Sequence, residues 1–97
     1  MQHIEVKNIE GTSDNYPPSQ YTSWLEFWKD KKNNSSPKCS CIRCPNKAVV
    51  GGHVLKVNNS DKNWYIVPLC SVHNNTYRKE PFFINQDDMI LANKSMY

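Results

Sequence analysis

The feature that most constrains this chain is the placement of its four cysteines. Cys39, Cys41 and Cys44 crowd into the run Cys39-Ser40-Cys41-Ile42-Arg43-Cys44, and Cys70 lies downstream with His73 three residues on. A chain of 97 residues is about one small domain, which buries a modest share of its unfolded surface and gains much from a covalent or metal staple. Four cysteines permit a two-disulfide scaffold, a redox CxxC pair, inert buried thiols or a metal site. The pattern CxxC, then about 25 residues, then CxxH favours metal, because two thiolates from a tight turn and a Cys-x-x-His pair from a helical first turn can meet one tetrahedral ion. We therefore expect one structural Zn2+ per chain on Cys41, Cys44, Cys70 and His73. Cys39 is the alternative to Cys41, through a Cys39-x4-Cys44 spacing. Four ligands saturate zinc and leave no position for water, so such an ion stabilises the fold and performs no chemistry.

The remaining sequence reads as a single α+β domain over residues 1–97. Residues 1–20 contain Gly11, Pro17 and Pro18 with little periodicity, which predicts an irregular lead-in with a short strand at His3 to Lys7. Ser23 with Glu26 three residues later fits a capping box, and Trp24, Leu25, Phe27 and Trp28 give an apolar face at helical spacing, so a helix is expected to end near Lys32. The run from Asn33 to Pro37 breaks it. Beta-branched residues between Ala48 and Val57, then Trp64 to Val67, predict a hairpin that Pro68 ends; a short helix follows from Leu69 to Tyr77. Phe82 to Ile84 and Met89 to Leu91 are expected to pair as closing strands around a turn at Asn85 to Asp88.

No segment approaches the roughly 18 apolar residues of a membrane span, and the N-terminus lacks a basic region followed by an apolar stretch. These features lead us to expect a soluble, cytoplasmic protein without a membrane partner. Net charge is +3, only weakly basic, but its distribution is uneven. Lys29, Lys31, Lys32, Lys38, Arg43 and Lys47 face a single acid, Asp30, in their stretch, and Arg78 and Lys79 add to them. Clustered cations of this kind suit phosphate, so DNA or RNA is the expected partner, with binding that weakens steeply in salt. A second use of the sequence is protein interaction, through Trp24, Phe27, Trp28, Trp64, Tyr65, Phe82 and Phe83 as an aromatic patch. In a small domain the same rings equally serve as core.

The order Cys41-x-x-Cys44, Gly52-His53-Val54, then Pro68-Leu69-Cys70-x-x-His73-Asn74 resembles the zinc-stapled HNH endonucleases, the treble-clef branch of the His-Me finger superfamily, over residues 39–79. The resemblance implies a structural zinc on the cysteines, a hairpin-plus-helix centre, and a second divalent metal on the scissile phosphate if the chain is a nuclease. It places His53 at the general-base position and Asn74 at a metal-ligand position. Gly52 stands where the family usually has Asp or His, Asn74 where it usually has His, and Tyr65 where it usually has Asn. A neutral amide oxygen holds a hard cation poorly. The expectation is thus a zinc-binding HNH-like module without catalysis, with a metal-dependent endonuclease as the alternative.

Overall fold

The computed structural model describes residues 2–9, 17–57, 62–74 and 80–92. It is an α+β architecture in which one helix lies on a five-stranded antiparallel sheet. In chain order the elements are β1 (His3–Asn8), α1 (Trp24–Lys32), β2 (Val50–Lys56), β3 (Tyr65–Leu69), β4 (Phe82–Asn85), a 3-10 turn at Gln86–Asp88, and β5 (Ile90–Leu91). Strand order is β4-β1-β2-β3-β5.

Helix α1 starts and stops where its end chemistry dictates. The Ser23 hydroxyl accepts the Glu26 backbone N–H at 3.1 Å, and Asn33 ends the helix in the left-handed region at φ 52. The reciprocal half of the expected capping box is absent, since the Glu26 carboxylate instead meets Lys29 Nζ at 3.4 Å. Trp24, Phe27 and Trp28 bury against Ile66 of β3 and Ala92. Two further bonds tie the helix to the 3-10 turn: Trp28 Nε1 donates to Asp88 O and Lys32 Nζ to Asp87 O, both at 2.7 Å.

Alternation along β2 separates the two sides of the sheet. Gly51 lies directly under α1, where an added Cβ would meet Leu25 N and Trp24 C at 2.8 Å, and His53, on the same face, packs edge-on to Trp24 with ring centroids 5.2 Å apart. Gly52 and Val54 face the other way, into a second core of Val6, Val54, Val67, Leu69, Phe82 and Ile84 with Cys39 and Cys70. That core is enclosed because the cysteine loop joins β4, at one end of the sheet, to β3. Ser40 N–H donates to Pro68 O of β3 at 2.8 Å, while Ile42 N–H donates to Phe83 O and Asn85 N–H to Ser40 O on β4. Backbone hydrogen bonds therefore run in a closed circuit from β3 through β2, β1 and β4 to residues 40–42 and back to β3. The circuit closes off sheet edges that would otherwise present unpaired donors and acceptors.

Several expectations from sequence need correction. The short strand expected at His3 to Lys7 is present as β1, but it is an interior strand, paired with both β2 and β4. Pro68 does not stop β3 but sits inside it opposite Gly51, its carbonyl serving Ser40. The closing apolar segments do not pair with each other: β4 joins β1 and β5 joins β3, so they lie at opposite ends of the strand order. Residues 71–74 form a turn, with Asn74 N–H bonded to Cys70 O at 3.0 Å, and the rest of the expected helix, 75–77, lies outside the described residues.

Candidate metal centre

The cysteine loop is a small hairpin. Lys38 pairs with Lys47 in an antiparallel bridge, Cys39 N–H donates to Asn46 O at 2.9 Å, and Ala48 N–H donates to Pro37 O at 3.1 Å. Its tip is a turn in which Cys44 N–H bonds to Cys41 O at 3.1 Å, with Arg43 left-handed at φ 66. The Ser40–Pro68 bond places this hairpin beside the end of β3, where Cys70 follows. The turn after Cys70 is held by its own Asn74–Cys70 bond and by Asn8, whose side-chain amide donates to His73 O at 2.8 Å.

These constraints bring four ligand atoms together. The sulfurs of Cys39, Cys44 and Cys70 and a ring nitrogen of His73 all lie within 4.8 Å of one another. A tetrahedral zinc with bonds of about 2.3 Å to sulfur and about 2.0 Å to nitrogen has S···S edges of about 3.8 Å and S···N edges of about 3.6 Å. Cys44 Sγ and Cys70 Sγ are 3.8 Å apart, Cys39 Sγ and His73 Nδ1 3.6 Å, and Cys70 Sγ and His73 Nδ1 3.2 Å. Two of the three edges match and the third is short by an amount that a small rotation of either side chain relieves. The soft thiolate set and its spacing fit one zinc ion.

The protonation of the cluster is asymmetric. Burial pushes the Cys39 thiol up to about 12. Burial also works to raise Cys70, but hydrogen bonds from the His73 backbone and ring and from the Asn46 amide, 3.8 Å from the sulfur, outweigh it and hold the thiol at about 6. Cys70 is the more easily deprotonated of these two thiols, and metal binding must displace the Cys39 proton.

The membership differs from the sequence expectation at one position: Cys39 stands in the group and Cys41 does not. The backbone of Cys41 is committed to β4 through its bridge with Ile84, and its sulfur lies 3.9 Å from Ile42 O. Cys44, Cys70 and His73 are placed together as expected. His53 and Asn74 are not. The His53 ring lies on the α1 face between Trp24 and Trp64, whereas Asn74 Oδ1 lies 2.8 Å from where a Gly52 Cβ would stand, on the opposite face of β2. His53 is 7% exposed, and burial lowers its pKa to about 4. It is neutral at pH 7 and packs edge-on against both indoles.

Of the expected cations, Lys31, Lys32, Lys38, Arg43 and Lys47 are exposed and Lys29 is half-buried; Arg78 and Lys79 lie outside the described residues. The aromatic residues serve mainly as core: Trp24, Phe27, Trp28 and Phe82 are buried, with Phe83 alone of the seven named rings more than half exposed. No helix among the described residues is long and apolar enough to cross a membrane. Set against known proteins, the chain matches no family model, no curated protein and no solved structure.

Proposed function

We propose that this chain is a zinc-stapled, non-catalytic module of treble-clef or HNH-like descent whose cysteine hairpin docks on the phosphates of a nucleic acid. The zinc part rests on the near-tetrahedral edges among Cys39, Cys44, Cys70 and His73. A loaded centre of three thiolates, one neutral imidazole and Zn2+ is coordinatively closed, so it stiffens the hairpin and activates no water.

The binding part is carried by one observation: Lys38 and Lys47 stand directly opposite each other in the bridge that closes this hairpin. Like charges in directly opposed positions are destabilising, and an anion between them removes that penalty. Arg43 extends the same hairpin, exposed at its tip. Three phosphate contacts give a log K against log salt slope of about −2.7 on duplex DNA and about −2.1 on single strands.

Fluorescence anisotropy with labelled duplex DNA, single-stranded DNA and RNA across a salt series tests the reading. It predicts a slope near those values and a loss of about tenfold in affinity for the Lys38→Ala/Lys47→Ala double variant. Affinity unchanged by the double variant, or no binding at low salt, refutes the nucleic-acid reading while leaving the zinc reading intact. The alternative endonuclease would need His53 and Asn74 in one site, which their placement on opposite faces of β2 disfavours.

A further inference from the structure

The hairpin carries a fourth thiol that the metal group does not use. Cys41 and Cys44 are both half-buried and both line an open cavity of about 400 Å³ beside the metal group. They are the first and fourth residues of the turn closed by the Cys44 N–H to Cys41 O bond. Such a turn keeps its end Cα atoms within about 7 Å, overlapping the roughly 4.4–6.8 Å range of disulfides. Cys44 also faces Cys70, but Cys70 is 3% exposed, which shields it from a dissolved oxidant.

We propose that Cys41 is an oxidation site at which a hydroperoxide forges a Cys41–Cys44 disulfide and thereby releases the metal. The inference rests on the zinc reading above. The Cys41 sulfur attacks one peroxide oxygen, the O–O bond breaks, and the departing oxygen leaves as water from hydrogen peroxide or as the alcohol from an organic hydroperoxide, so that Cys41 becomes a sulfenic acid. Cys44 then leaves zinc and attacks that sulfur, forming the S–S bond, and the sulfenic oxygen departs as water. With hydrogen peroxide, one Cys41 thiol, one zinc-bound Cys44 thiolate, one peroxide and one proton give one disulfide, two waters and zinc with a vacated position. The peroxide is reduced by two electrons and the two sulfurs are oxidised by one each. Held then by Cys39, Cys70 and His73 alone, the ion passes readily to a chelator.

The test uses the full chain as wild type and as Cys41→Ser, with zinc content measured first. Hydrogen peroxide is added in the presence of a chromophoric chelator, and the disulfide is mapped by tryptic digestion and tandem mass spectrometry, since cleavage after Arg43 separates Cys41 from Cys44. The expected result is one zinc released per Cys41–Cys44 disulfide, recovery on reduction with zinc present, and release at least tenfold slower in Cys41→Ser. Equal release rates in the two proteins, a disulfide through Cys39 or Cys70, or loss of zinc from Cys41→Ser without oxidant each overturn the proposal. A wild-type chain that binds no zinc refutes the metal reading instead, and mapping the disulfide in that protein still decides whether Cys41 and Cys44 are the pair oxidised.

Discussion

The adjacent glycines of β2 allow the two sides of the sheet to be probed one residue apart. In Gly51→Ala the new Cβ meets Leu25 N and Trp24 C at 2.8 Å and Trp24 Cβ at 3.0 Å. The first two are helix backbone atoms and cannot rotate away, so α1 must lift from the sheet and loosen the packing of Trp24, Phe27 and Trp28. Overpacking costs about 1–3 kcal/mol, with the upper end expected where backbone is the obstacle. The lower unfolded-state entropy of alanine returns about 0.4–1 kcal/mol. A net loss of about 2 kcal/mol lowers Tm by roughly 8–16 °C in a domain of this size. In Gly52→Ala the obstacles are Leu69 Cδ1 at 2.5 Å and Asn74 Oδ1 at 2.8 Å, both side-chain ends that can yield. The net loss should be about 1 kcal/mol. Asn74 also closes the turn that carries His73, so Gly52→Ala is expected to weaken zinc retention severalfold and Gly51→Ala to leave it unchanged. Urea unfolding with excess zinc measures the first quantity, and chelator competition on the folded protein measures the second. If Gly52→Ala is the less stable variant, or if Gly51→Ala is the one that loses metal, the assignment of faces is wrong.

Other expectations follow from single residues. His53 has a folded pKa of about 4, lowered by burial from its ordinary 6.5, so between these values the unfolded chain binds more protons and stability falls as pH falls. The contribution is fully present above about pH 6.5 and reaches a loss of about 3 kcal/mol below pH 4; the fall in urea-unfolding stability over this window should be shallower in His53→Phe than in wild type at equal zinc content, and an identical profile would refute the buried neutral imidazole. Ser23→Ala removes the acceptor for Glu26 N–H and should cost about 1 kcal/mol, measured by thermal unfolding, whereas Ser23→Asp should retain most of that stability. Trp28→Phe keeps much of the ring but deletes the donor to Asp88 O, for an expected loss of about 1–3 kcal/mol in urea unfolding; a change under about 0.5 kcal/mol would show that water replaces the bond freely.

Local signals in the sequence were legible where the physics is local. Ser23, the apolar spacing from Trp24 to Trp28 and the helix-ending Asn33 fix α1 within a few residues, and the beta-branched runs fix the β2–β3 hairpin. What sequence did not carry was partner choice over long separations. Nothing in Phe82 to Leu91 says that its two strands go to β1 and β3 and not to each other. Three of the four ligands, Cys44, Cys70 and His73, were legible, and only the choice between Cys41 and its alternative Cys39 went the other way, for the same reason. Spacing favours Cys41 with Cys44, but Ser40 N–H bonds to Pro68 O, two residues before Cys70, and draws Cys39 to the cluster, while pairing with Ile84 draws Cys41 to β4. Strand alternation puts His53 on the side of β2 opposite Gly52 and Asn74, a placement that the motif alone did not carry.

X-ray absorption at the zinc edge, on Cys41→Ser and Cys39→Ser proteins purified with zinc, tests the central claim most directly. Cys41→Ser is expected to hold one zinc per chain with three sulfurs at about 2.3 Å and one nitrogen at about 2.0 Å, and Cys39→Ser to lose a sulfur from the shell or the ion altogether. A full three-sulfur shell in Cys39→Ser, with the deficit in Cys41→Ser, would contradict it.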